Sequence, residues 1–236
     1  MLKSPGSPSS GPQPDASGDL ETPFFQELLQ RTDEARRAFE SAPVVLEVAA
    51  QGMELTRYRR FLMELHPVVW HFNPVTAAAV SRMGEREAPL RDFLYRHMHE
   101  EAGHDEWLLQ DLEAVGGRAA DVRRHVPGVA TRCLVAFNHW QADRGRPAGV
   151  LGMLYALEVI ASVYAGAFAA ALRDRLFLDG DRGVSFLVSH ASLDSRHMAE
   201  LREVLDAVND PQDQEAVVQS AEVNFSQFAR LIEAVT

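Results

Sequence analysis

Apolar residues recur along this chain at spacings of three and four, the mark of helices that bury one face. The first stripe is Phe24, Phe25, Leu28 and Leu29, behind Thr22-Pro23. That pair predicts a helix start with Thr as N-cap and Pro at the first helical position. A short helix is expected over 43–51, stopping at Gly52. Leu55, Tyr58, Phe61, Leu62, Leu65 and Val69 predict a helix over 54–72, with Pro67 expected to kink it by removing a hydrogen bond. Asn73-Pro74 then reads as the start of another helix, through Met83. Further helices are expected over 87–115, ending at Gly116-Gly117, and up to about 144, with Leu134, Phe137, Trp140 and Gln141 inside. The run 147–175 is the most apolar. The last pair, from Val184 and from Pro211, closes the chain, with 118–127 and 176–183 as connections. No stretch alternates with the period of a strand, so the fold class is all-α.

Residues 1–20 are rich in Ser, Pro and Gly and are expected to form a disordered tail, leaving one helical domain over 21–236. The formal net charge of −11 argues against a nucleic-acid surface, which needs clustered Lys and Arg. Glu158 interrupts the longest apolar run, so no membrane span is expected. A single cysteine, Cys133, and no apolar leader after Met1 fit a cytoplasmic protein. Cys133 is expected to be a buried structural thiol.

Polar residues inside the apolar stripes carry the chemistry. Glu101 and His104 are three apart in His97-Met-His-Glu-Glu-Ala-Gly-His-Asp-Glu-Trp, and Asp194 and His197 repeat the spacing. On a helix such pairs share a face, and a carboxylate beside an imidazole is a ready metal-ligand pair. His190 adds a third ligand type on the stripe of Asp194 and His197. Glu64 and Glu158 sit in otherwise apolar helical stretches, where an unpaired carboxylate costs several kcal/mol. One Glu from each of two helices, with a carboxylate-x-x-His from each of two more, is the pattern of di-iron carboxylate bundles. So many carboxylates and histidines exceed what one zinc needs. Two iron ions are expected, with manganese possible. His97 reads as a partly exposed histidine, and Glu100 as part of a solvated face. Trp70, Phe72 and Trp140 are candidates for lining a substrate pocket.

The segments His97–Leu112 and His190–His197 resemble the metal motifs of the haem-oxygenase-like di-iron oxidases and oxygenases, relatives of the thiaminase II and pyrroloquinoline-quinone synthase folds. The resemblance covers roughly residues 54–205. It implies a haem-oxygenase-like seven-helix bundle, often a homodimer, in which His104, Glu158, His190, Asp194 and His197 hold metal. Glu64 matches a first-helix carboxylate, and Glu101 a carboxylate used by some members. The implied activity is O₂-dependent oxidation of a small organic substrate of fatty acid, amino acid or amine type. A ferritin-like four-helix bundle is the alternative fold. A haem oxygenase proper is disfavoured, since no histidine precedes Glu64. Three rival functions stay open: a metal-free thiaminase II-like hydrolase with Cys133 as nucleophile, a cofactorless oxidase like pyrroloquinoline-quinone synthase, and a non-catalytic iron-binding bundle.

Overall fold

The computed structural model describes residues 22–235, excepting the side chains of residues 193–196. The expected tail and the Asp194 side chain therefore lie outside the described residues. Among the described residues every regular element is helical and there is no strand. The chain begins with α1 (Phe24–Arg31), α2 (Asp33–Glu40) and α3 (Pro43–Gln51). The first two meet at Thr32, whose hydroxyl donates to Leu28 O at 2.7 Å, and Pro23 rather than Thr22 occupies the N-cap.

Two expected helices are one. α4 runs from Leu55 to Val80 with both Pro67 and Pro74 inside it. Each proline removes one hydrogen bond, and Phe61, Leu65, Phe72 and Val75 are buried on both sides of these losses. Burial along the whole length carries the helix across them. The reverse holds at the central motif, where one expected helix is two. α5 (Ala88–Glu100) ends just before Glu101, and α6 (His104–Ala114) starts at His104. Gly103 between them has φ of 90°, a left-handed conformation open to Gly at little cost.

The connection after α6 holds a short α7 (Ala119–Val122), and α8 spans Val129–Arg144. The most apolar run is likewise subdivided. A 3₁₀ turn (Pro147–Gly149) leads into α9 (Val150–Ile160), a π-helical turn follows (Ala161–Ala165), and α10 (Gly166–Leu176) completes it. By length and composition Pro147–Leu176 could cross a membrane, but 67% of its most apolar window is buried inside the fold, as in a core helix. α11 (Ser185–Asp206) and α12 (Pro211–Ala234) close the bundle. α12 packs along α9, and Gly152 marks the closest approach: a Cβ there would stand 2.1 Å from Val217 O.

Two buried carboxylates set helix positions. Asp111 of α6 accepts from Ser185 N at 2.9 Å and Phe186 N at 2.8 Å. It thereby satisfies donors at the start of α11 that would otherwise lack partners. Burial pushes its carboxyl up from the usual range, against the pull of those hydrogen bonds. Glu64 of α4 does the same for α8. Its carboxylate accepts from Gly128 N at 3.0 and 2.9 Å, from the Thr131 hydroxyl, and from His125 Nε2 at 2.7 Å.

Candidate metal centre

Two triads of ligand-type side chains form in the bundle interior: His97, Glu158 and His197, and Glu101, His104 and His190. In each, the three ligand atoms lie within 4.8 Å of one another. The first triad joins α5, α9 and α11. Glu158 Oε1 stands 3.6 Å from His97 Nε2 and 3.3 Å from His197 Nδ1. The second joins the α5–α6 break to α11. Glu101 Oε2 stands 2.8 Å from His104 Nδ1 and 3.9 Å from His190 Nε2. Both triads open on one cavity, lined by His97, Glu101, Glu158 and His190 together.

The local backbone serves this convergence. The Gly103 break lets Glu101 and His104 approach from two separate helix ends rather than from one continuous turn. The π turn begins three residues past Glu158, where α9 would otherwise continue in register. Single π turns inside α-helices occur mostly at functional sites. The capping of α11 by Asp111 fixes the start of the helix that presents His190 and His197.

Charge is arranged for ligation. Burial alone would raise the Glu101 carboxyl, but His104 and His190 together hold it well below the usual carboxylate range. His197 is raised by its contact with Glu158. His97, with a side chain only 4% exposed, is lowered by its burial. Burial opposes the charged form of His190 as well, yet Glu101, the Phe186 carbonyl and Glu158 together outweigh it and the imidazole is raised.

The residues fit a metal. His104 Nδ1 and His197 Nε2 are buried without a hydrogen-bond partner. Yet His104 Nδ1 is 2.8 Å from Glu101 Oε2, and His197 Nε2 is 3.3 Å from Glu100 Oε2, neither with hydrogen-bond geometry. Buried polar atoms are nearly always satisfied. Two imidazole nitrogens without a hydrogen-bond partner, set beside carboxylate oxygens, are donors disposed around a cation. Two nitrogens and a carboxylate in each triad suit iron or manganese.

Of the expected ligands, Glu101, His104, Glu158, His190 and His197 are brought together. Glu64 is not. The register of α4 turns Phe61, Leu65, Val68 and Phe72 towards the cavity and Glu64 towards the start of α8. His97 stands in the first triad instead, buried rather than partly exposed. Its spacing of four from Glu101 and seven from His104 was the available signal. Glu100 is 33% exposed and faces His197, so it is not simply a solvated charge. Of the aromatic candidates Phe72 lines the cavity, whereas Trp70 and Trp140 are 52% and 57% exposed and do not. Cys133 is exposed, not buried, and lies outside both the triads and the cavity lining.

The architecture is haem-oxygenase-like. It is similar to a domain with a haem oxygenase-like fold from Shewanella denitrificans (TM-score 0.80, 24% identity, covering 91% of this chain and 92% of that one). It is also similar to a TenA homologue from Pseudomonas syringae pv. tomato (TM-score 0.77, 16% identity, 90% and 92% covered). A third similar structure is haem oxygenase-1 from Synechocystis in complex with haem (TM-score 0.72, 16% identity, 90% and 92% covered). No curated protein sequence matches the chain. Residues 59–225 match the model of the iron-containing redox enzymes, and the chain belongs to that family.

Proposed function

We propose that this protein is a non-haem di-iron oxidase or oxygenase that uses O₂ to oxidise a small organic substrate. The observation that carries the reading is the pair of largely buried triads, each with two imidazoles and one carboxylate, together with two ring nitrogens, His104 Nδ1 and His197 Nε2, that are buried without a hydrogen-bond partner. Glu101, His104 and His190 would hold one iron, and His97, Glu158 and His197 the other. Bound there, two ferrous ions would supply the electrons that reduce O₂, with the protein contributing ligation and a site shielded from water. Glu101 and Glu158 offset the positive charge of the metals. The apolar walls of the cavity keep competing water from the reacting atoms.

A haem in the same cavity is less well supported. It would bring two propionates, and no Lys or Arg lines the cavity among the described residues. A hydrolase built on Cys133 draws no support from that residue's exposed position away from the cavity.

The test is anaerobic loading with Fe(II), iron analysis, and an optical spectrum on adding O₂. Close to two irons per chain and a transient visible band are expected. A protein that holds no iron after loading would exclude the reading.

A further inference from the structure

Outside the triads, one more pair of ligand-type side chains meets across two helices. His71 of α4 and His139 of α8 face each other, Nδ1 of the first 2.9 Å from Nε2 of the second, with their ring planes at 87°. Both are half-buried, on the seam where α4 and α8 lie side by side. Glu64 on Gly128 pins one end of this seam, and Arg82 Nη1, donating to Ala142 O at 2.6 Å, pins the other. Neither ring has a second hydrogen-bond partner among the described residues. Nothing in the protein therefore fixes which nitrogen of either ring carries the proton. No carboxylate joins the pair: among the described residues, groups of three ligand-type side chains are the two triads alone.

Without a metal the contact is a hydrogen bond, one ring donating and the other accepting. Burial, and then the neighbouring imidazole, pull His71 below the ordinary histidine range, so its ring is neutral at pH 7. With each proton on the outer nitrogen, both lone pairs point into the gap. Two imidazole nitrogens bound at about 2.0–2.1 Å lie about 2.9 Å apart when they subtend a right angle at the metal, and about 3.3 Å apart at the tetrahedral angle. We propose that His71 and His139 form a second kind of metal site, a two-histidine clamp for a divalent ion of the copper(II) and nickel(II) type, with water in the remaining positions. Their spacing fits adjacent corners of a square-planar or tetragonal ion, the geometry of those two metals with nitrogen ligands. The donor set argues the same way. Imidazole without carboxylate holds iron(II) and manganese(II) poorly, and copper(II) stands highest in affinity for nitrogen sites. The clamp shares no residue with the triads and does not rest on the di-iron reading. An ion in it ties α4 to α8 between the Glu64 and Arg82 contacts, and stabilises the folded chain by mass action.

Copper(II) titration of the metal-free full chain tests this, with bound copper counted by equilibrium dialysis. His71→Ala and His139→Ala should each lose at least tenfold in affinity for one equivalent that wild type holds. That equivalent should give a copper EPR signal with hyperfine structure from two nitrogens, and should raise the Tm of wild type alone. Trp70 offers a readout in wild type itself, since its ring stands edge-on to His71 with centroids 4.6 Å apart. Its emission, taken as the difference between wild type and Trp70→Phe, should be quenched by copper(II) and restored by EDTA, while manganese(II) leaves it unchanged. Equal copper binding in wild type and both variants, Trp70 emission indifferent to copper(II), or a manganese(II) response as strong as that to copper(II) would each overturn the clamp. Iron held after anaerobic Fe(II) loading should be the same in wild type and both variants, and it reports on the triads separately. A variant that loses iron as well has lost its fold rather than this site alone, and the wild-type Trp70 signal then decides.

Discussion

The carbonyl of Phe186 lies 2.9 Å from Nδ1 of His190, one turn along α11. The carbonyl can only accept, so Nδ1 carries the proton and donates. In the neutral ring Nε2 then holds the lone pair, and it is Nε2 that faces Glu101 at 3.9 Å. The Phe186 ring packs on the imidazole with centroids 4.0 Å apart and holds its plane. Hydrogen bonds of this kind fix the tautomer of metal-ligating histidines. Asp111, by holding Phe186 N, fixes the turn from which that carbonyl points.

Asp111→Asn should therefore lower iron affinity without touching a ligand. The amide can accept from one of the two backbone donors and not cleanly from both, so the start of α11 shifts. A loss of about tenfold to a hundredfold is expected at the Glu101–His104–His190 site. Competition with a chelator, titrated against wild type, reads it. Unchanged affinity at both sites would mean that α11 is held well enough by packing alone.

The triads share no residue, so their metals should be lost separately. His104→Ala should leave about one iron per chain, held by His97, Glu158 and His197. His197→Ala should leave the other. Removing His104 and His197 together should leave none, with the helical circular dichroism kept. If each single variant lost both irons, bridging between the sites would dominate. If each kept two, neither triad would be a site.

How much of this was legible beforehand varies by residue. Glu101, His104 and His197 are legible from the carboxylate-x-x-His spacing, and Glu158 from its place in an apolar stripe, where a charge demands a partner. Glu64 obeyed the same rule with a different partner. Its demand is met by backbone and side-chain donors at Gly128, Thr131 and His125, more than sixty residues away and invisible to periodicity. His97 failed in the opposite way, since a lone histidine is most often an ordinary one. The amphipathic pattern of its helix puts Trp140 inside, but α8 buries Thr131, Leu134, Asn138 and Gln141, a face offset from it. Continuity across Pro67 and Pro74, and the break at Gly103, depend on what packs against each turn, which local propensity does not encode.

Glu64→Gln should leave iron content unchanged and reduce stability. The carboxylate accepts from three partners at the start of α8. Hydrogen bonds to a charged group contribute about 1.5–3 kcal/mol each in favourable cases, and the net loss on neutralising it is expected near 1–3 kcal/mol. Urea unfolding at pH 7 should show it. The Glu64 carboxyl is buried, which raises it, but Thr131, Gly128 and His125 together bring it below its ordinary value. A carboxyl lowered on folding stabilises fully above its unfolded value and loses this contribution as pH falls through its folded one. The gap between wild type and Glu64→Gln should therefore be widest near neutrality and narrow below about pH 4. A gap independent of pH would show that the charge contributes nothing.

Cys133→Ser should leave iron content and O₂ consumption at wild-type levels, since the thiol is exposed and stands apart from the cavity. Iodoacetamide should label the wild-type thiol in the native state with no loss of bound iron. Loss of activity on either treatment would return the cysteine-based hydrolase to consideration.

Gly103 offers the sharpest test of the broken helix. Its φ of 90° lies where a side chain is disfavoured, yet a Cβ there would meet nothing within 4 Å. Any effect of substitution is thus conformational rather than steric crowding by neighbours. Non-glycine residues pay roughly 1–2 kcal/mol for left-handed backbone, and Asn less than most. A β-branched residue is the worst tolerated. Gly103→Val should press the segment towards a continuous helix, turning Glu101 and His104 out of their approach from separate helix ends. Iron affinity of their triad should fall about tenfold or more, with the His97–Glu158–His197 iron retained. Gly103→Asn should recover most of that loss. If Val and Asn gave the same iron affinity as Gly, the break would be incidental to the metal centre. If both abolished it equally, some property of Gly other than its backbone freedom would be at work.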